Sequence, residues 1–145
     1  MLQDRRLALA GESWTLGQVV LSWQDVVEGA AAPDDGRNVV IHEFAHQLDQ
    51  EKGYANGAPY LGGRERYLRW SRVLGEEYAR LQARGYGSAE GAEPPLLSAY
   101  GATDPAEFFA VATEAFFERP QALLQAAPQL YEALSRLYRL DPRAW

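Results

Sequence analysis

Apolar residues along this chain recur with two different periods. Between residues 7 and 23 they come in short runs. Leu7 to Ala10 is one run, Gly11-Glu12-Ser13 carries a turn signal, and Gln18-Val19-Val20-Leu21-Ser22-Trp23 puts Val19, Leu21 and Trp23 on one face. Alternation over such a span predicts β-strands. From residue 38 the period lengthens to that of a helix. Val40, Ile41, Phe44 and Leu48 fall on one side at about 100° per residue, with Asn38 as the N-cap and Gly53 as the stop. That side is expected to pack into a core. His42, His46 and Asp49 fall on the opposite side, which is expected to face a cleft.

A second helix is expected over Arg64 to Arg84, where Tyr67, Trp70, Leu74, Tyr78 and Leu81 recur every three to four residues before Gly85. A third opens at Asp104-Pro105-Ala106-Glu107, with an acid at the N-cap, Pro at the first helical position and Glu at the third. It runs to about Glu118, is apolar nearly all round and should be largely buried. Pro120, Pro128 and Pro142 cut the tail into two short helices. Residues 24–37, 54–63 and 85–95 read as loops rich in Gly, Pro and small residues. The expected class is therefore α+β: a small N-terminal sheet or hairpin followed by a mainly helical remainder.

Composition narrows the possibilities. A chain of 145 residues with 47% hydrophobic and 23% charged positions is a single globular domain with a real core. A net charge of −6 argues against nucleic acid as a partner. Cysteine is absent, which removes disulfides, cysteine metal sites and thiol nucleophiles. No apolar run reaches the length of a membrane span and no signal-peptide pattern opens the chain, so a cytoplasmic setting is expected.

The chemistry is concentrated in His42-Glu43-Phe44-Ala45-His46. Residues four apart on a helix lie one above the other, so the two imidazoles can meet one ion while Glu43 reaches a water beside it. These are the only histidines in the chain. Random placement would set two residues four apart in about 1% of cases, so the spacing carries information. A catalytic zinc keeps three protein ligands and an open position. With no further His and no Cys, the third ligand must be a carboxylate. Asp49 and Lys52 stand where a longer histidine motif needs Gly and His, which excludes that variant. Glu107, Glu114 and Glu118 form an acidic stripe on the third helix and are the candidates. Asp49 is either an orienting partner of a ligand histidine or an exposed helix acid. A strand beside the motif helix would also offer its edge to an extended peptide.

At this point the residues resemble a family. His42 to Asp49, Asn56-Gly57, the run Tyr100-Gly101-Ala102-Thr103-Asp104-Pro105-Ala106-Glu107-Phe108-Phe109-Ala110-Val111 and the following Glu114 to Pro120 look like the Mlc titration factor A family of bacterial zinc metallopeptidases. Gly11 to Trp23 is similar as well, so the resemblance covers most of the chain. The catalytic domain of anthrax lethal factor is similar more distantly. The resemblance implies a zincin-like catalytic domain over residues 1–145, the C-terminal part of a longer architecture. It implies Zn²⁺ held by His42, His46 and Glu107, Glu43 as general base and Tyr100 as an active-site tyrosine. The implied activity is aminopeptidase-like hydrolysis of peptide substrates. The alternative is sequestration of a transcriptional repressor, Mlc, on the same scaffold.

Overall fold

The computed structural model describes residues 11–13, 19–21, 38–84 and 96–145. Two strands, β1 (Gly11–Ser13) and β2 (Val19–Leu21), pair antiparallel with Gly11 opposite Leu21 and Ser13 opposite Val19. Five α-helices follow among the described residues: α1 (Val39–Gln50), α2 (Arg64–Arg84), α3 (Pro105–Glu118), α4 (Pro120–Ala126) and α5 (Pro128–Tyr138). Short 3-10 turns cover Ala99–Ala102 and Pro142–Ala144.

The expectation of an α+β, zincin-like class is corrected by this architecture. The described residues are mainly helical, and their strand content is two three-residue stretches. A ribbon that short does not organise a domain by itself; here both strands lie against α1 while helices build the core. The stretch read as a turn, Gly11-Glu12-Ser13, is β1. Leu7 to Ala10 lies outside the described residues.

α3 is the central element. Every residue from Phe108 to Phe116 is buried, including Thr113 and Glu114. Its start is set locally: the Asp104 side chain accepts from Glu107 N at 2.8 Å and Pro105 sits where no backbone donor is needed. Trp70 and Tyr78 of α2 meet Phe109 and Phe108 edge-on, each at 5.7 Å between centroids. On the far side Phe116 packs with Phe117, Tyr131 and Tyr138. Leu123, Leu130 and Leu134 from α4 and α5 close the core. Burying each such side chain is worth about 1.5–3 kcal/mol, which makes α3 the anchor for whatever it carries.

α1 packs the other way round from its amphipathic pattern. Its buried residues are Glu43, Ala45, His46 and Asp49, whereas Phe44 is 58% exposed and Val40, Ile41 and Leu48 are only half-buried. The polar face turns inward because α3 presents it with partners. Asp49 shows how complete that burial is: it is wholly inaccessible, and it accepts from Lys52 Nζ, Asn56 N and Gly57 N at 2.8, 3.2 and 2.8 Å. It is thus neither an exposed acid nor in hydrogen-bond contact with a motif histidine. Instead it folds the 51–57 loop back under α1. Gly57 O in turn accepts from Trp70 Nε1 at 2.8 Å, so one loop ties α1 to α2.

Candidate metal centre

Glu107, Glu114 and Glu118 share one face of α3 and meet α1 at successive heights. Glu107 faces His42 and His46, Glu114 faces His42 and Asn38, and Glu118 faces Asn38. The two helices therefore run in opposite directions along this contact, with the acidic stripe laid against the histidine stripe.

The structure brings His42, His46 and Glu107 to one point. His42 Nε2 lies 2.9 Å from Glu107 Oε2, and His46 Nε2 lies 3.1 Å from Glu107 Oε1. The imidazole centroids are 4.8 Å apart and nearly perpendicular. One donor atom from each of the three residues lies within 4.8 Å of the others. Among the described residues this is the one such group. Glu114 approaches His42 from its other ring nitrogen, Nδ1, and so does not share this point. Glu118 is taken up by Asn38 Nδ2 at 2.8 Å. Of the three acids, helix packing sets Glu107 beside both imidazoles.

Glu43 is 4% exposed, and its Oε2 has no hydrogen-bond partner among the described residues. A buried carboxylate oxygen left unpaired is costly, so one in a native fold calls for a ligand or water at that position. Tyr100 sits on the 3-10 turn before α3, 41% exposed, with its ring 6.1 Å from that of His42. Two imidazoles, one carboxylate and an orphaned acid beside them suit a divalent cation bound through nitrogen and oxygen.

The electrostatics follow from the geometry. Burial works against protonation of His42, but hydrogen bonds to Glu107 and Glu114 outweigh it and lift the imidazole to about 10. Burial likewise opposes ionisation of Glu107, yet hydrogen bonds from His42 and His46 bring its carboxyl down to about 2. Glu43 goes the opposite way, pushed up to about 6 chiefly by burial. The cluster thus separates its acids: Glu107 is held as an anion, while Glu43 is a stronger base than an ordinary carboxylate.

Pattern reading did not find the full role of Asn38. Its side chain accepts from Val40 N and Ile41 N at 3.0 and 3.2 Å, as an N-cap should. Its own backbone N–H donates to Glu114 at 3.0 Å. The acidic stripe on α3 was the available signal, but nothing in spacing shows that two of its three members grip a cap.

A helical core that sets a His-Glu-x-x-His helix against a distant acid defines a metallopeptidase-like protein. The comparisons give the family. Residues 1–139 match the glucose-regulated metallo-peptidase M90 family, and the chain belongs to it. An uncharacterized protein of Synechocystis is 42% identical over 143 residues, covering 98% of this chain and 50% of that protein. Mlc titration factor A of Serratia proteamaculans is 40% identical over 136 residues, covering 93% and 50%. Mlc titration factor A of Escherichia coli is 35% identical over 147 residues, covering 98% and 52%. The chain spans about half the length of the curated relatives it matches. No described helix is long and apolar enough to cross a membrane.

Proposed function

We propose that this chain is a single catalytic domain and that it acts as a cytoplasmic, zinc-dependent peptidase of aminopeptidase type. The observation that carries the reading is the meeting of His42, His46 and Glu107 beside the unpartnered Glu43 Oε2. His42 and His46 would hold Zn²⁺ through Nε2, and Glu107 through its carboxylate. A cation bound there supplies Lewis acidity, acidifying water and polarising a carbonyl. Glu43 takes the proton of the attacking water and returns it to the leaving amine. Its burial keeps the carboxylate free of bulk water, which raises its basicity. The Tyr100 phenol donates a hydrogen bond to the oxygen on which negative charge develops.

The test is peptide hydrolysis by the purified chain, with free-amine and N-blocked substrates, before and after chelation. Activity should vanish with chelator and return with stoichiometric Zn²⁺. Activity that ignores the chelator sinks the reading. Hydrolysis of blocked and free peptides alike would remove the aminopeptidase assignment while keeping the peptidase. Tyr100→Phe keeps the ring and removes the donor, and should lower kcat by ~10²–10³ with metal content unchanged. A wild-type kcat in that variant removes Tyr100 from the chemistry.

A second reading rests on the relatives' name. Proteins called Mlc titration factor A point to a repressor, Mlc, as partner. We assign this chain the same partner only as an alternative to peptides. Tight binding of purified Mlc by a chain without peptidase activity would favour it.

A further inference from the structure

Glu114 makes two contacts that the proposed chemistry leaves unused. It is 8% exposed and sits in the middle of the buried helix α3, where an ionisable side chain is costly unless paired. One of its oxygens accepts from the His42 ring at Nδ1, and the other accepts from Asn38 N at 3.0 Å. Both carboxylate oxygens are thereby spent on α1, one on the N-cap and one on a motif histidine four residues later.

We propose that Glu114 is the positioning residue of the metal centre: it selects the Nδ1–H form of His42 and aims Nε2 at the point shared with His46 and Glu107. This rests on the metal-centre reading above and adds a role that reading does not need. A neutral imidazole carries one proton on either nitrogen, and the proton sits where an acceptor waits. Both ring nitrogens face a carboxylate, Glu114 at Nδ1 and Glu107 at Nε2; a cation at the shared point would take the Nε2 lone pair and leave the ring proton on Nδ1, held by Glu114. Carboxylates that grip the far nitrogen of a histidine ligand also fix its ring orientation and raise its basicity. The second contact makes the device rigid. Asn38 caps α1 with its side chain and gives its backbone N–H to Glu114, so ring and helix start are held by one group on a fully packed helix. His46 has no such carboxylate among the described contacts, which makes His42 the oriented member of the pair.

The experiment compares Zn²⁺ affinity, by competition with a chromogenic chelator, for the wild-type chain, Glu114→Ala, Glu114→Gln and Glu118→Ala. Glu114→Ala should bind about 10–100-fold more weakly, as loss of such an orienting partner usually costs, and Glu114→Gln should fall between it and wild type. Glu118→Ala removes the neighbouring grip on Asn38 without touching His42. It should lower the melting temperature and leave affinity within about threefold of wild type. A second readout is independent of affinity. The chain has two histidines, so nitrogen-15 spectra of the zinc-loaded protein resolve four ring nitrogens. Nδ1 of His42 should carry a slowly exchanging proton that exchanges faster in Glu114→Ala. Wild-type binding of zinc with Glu114→Ala unchanged in both affinity and exchange overturns the proposal and spares the metal centre. Equal losses in Glu114→Ala and Glu118→Ala would reduce Glu114 to a merely structural residue and also overturn it. A wild-type chain that binds no zinc removes both readings together.

Discussion

Glu43→Gln is expected to abolish hydrolysis while leaving the metal in place. The two side chains have the same shape, so the buried pocket is refilled without a cavity. The amide nitrogen cannot take a proton, and the amide oxygen is a far weaker base than a carboxylate. A positioned general base is worth about 10²–10⁴ in rate, and Glu43 should sit at the upper end because burial raises its carboxyl to about 6. Metal content should not change, since the ligand atoms proposed above belong to His42, His46 and Glu107. Stability should hold or rise, because a 4% exposed acid with an unpaired oxygen is replaced by a neutral group. The measurements are zinc per chain, melting temperature and kcat. A folded, metal-replete variant that hydrolyses peptides at the wild-type rate would show that another group takes the proton.

Gly57→Ala should have the largest structural effect of any Gly→Ala change among the described glycines. Gly57 has φ +80, and a Cβ built there would lie 2.4 Å from Pro105 O and 2.8 Å from Pro105 C. Two costs add. The left-handed backbone costs an alanine about 1–2 kcal/mol. The clash is with backbone rather than a flexible side-chain tip, and overpacking of that kind adds about 1–3 kcal/mol. A total of about 2–5 kcal/mol would lower the melting temperature by roughly 5–15 °C in a chain of this size. The site should feel it as well. Pro105 begins α3 and Glu107 is two residues on, so a displaced Pro105 moves the carboxylate away from both imidazoles. Gly53→Ala separates the two costs. Gly53 has φ +104, but its added Cβ meets nothing within 4 Å, so only the backbone cost applies. Melting temperature and zinc affinity for both variants decide the matter. Equal effects would mean that the approach of Gly57 to Pro105 does not hold Glu107 in place.

The same loop shows where pattern reading succeeded and where it stopped. Helix limits were legible to within a residue or two. Asn38, Asp104, Pro105, Pro120 and Pro128 act on their own backbone neighbourhood, so no distant information is needed to place them. The facing of α1 was not legible. Its hydrophobic periodicity pointed Phe44 inward, yet Phe44 is 58% exposed while Asp49 is fully buried. An acid goes inside when the fold supplies donors, and those donors are Lys52 and the backbone of a loop whose path the sequence pattern does not show. The α+β expectation overreached for a related reason. Short alternating runs in residues 7–23 carry strand propensity, but among the described residues six of paired strand beside five helices leave the core to helical contacts.

What the sequence determined by itself is the chemistry on offer and its local spacing. Two imidazoles four residues apart on a helix must lie on one face, and with no Cys or further His any third ligand had to be an acid. The resemblance implied Glu107, but periodicity left the acid open, and only the tertiary structure shows which one lies against both imidazoles. Glu107, Glu114 and Glu118 occupy one stripe, and spacing alone favours Glu107 only slightly. Glu107 stands third in its own helix, and its carboxylate reaches across to His42 and His46. The helix rise sets the three about 10 and 6 Å apart along α3, and the antiparallel seating of α3 on α1 places each against a different part of α1. It gives Glu107 the shared point, Glu114 the far side of His42 and Glu118 the cap. A helix repeat is set by bonds four residues apart, but the height at which two helices meet is set by the whole core, and no local pattern contains it.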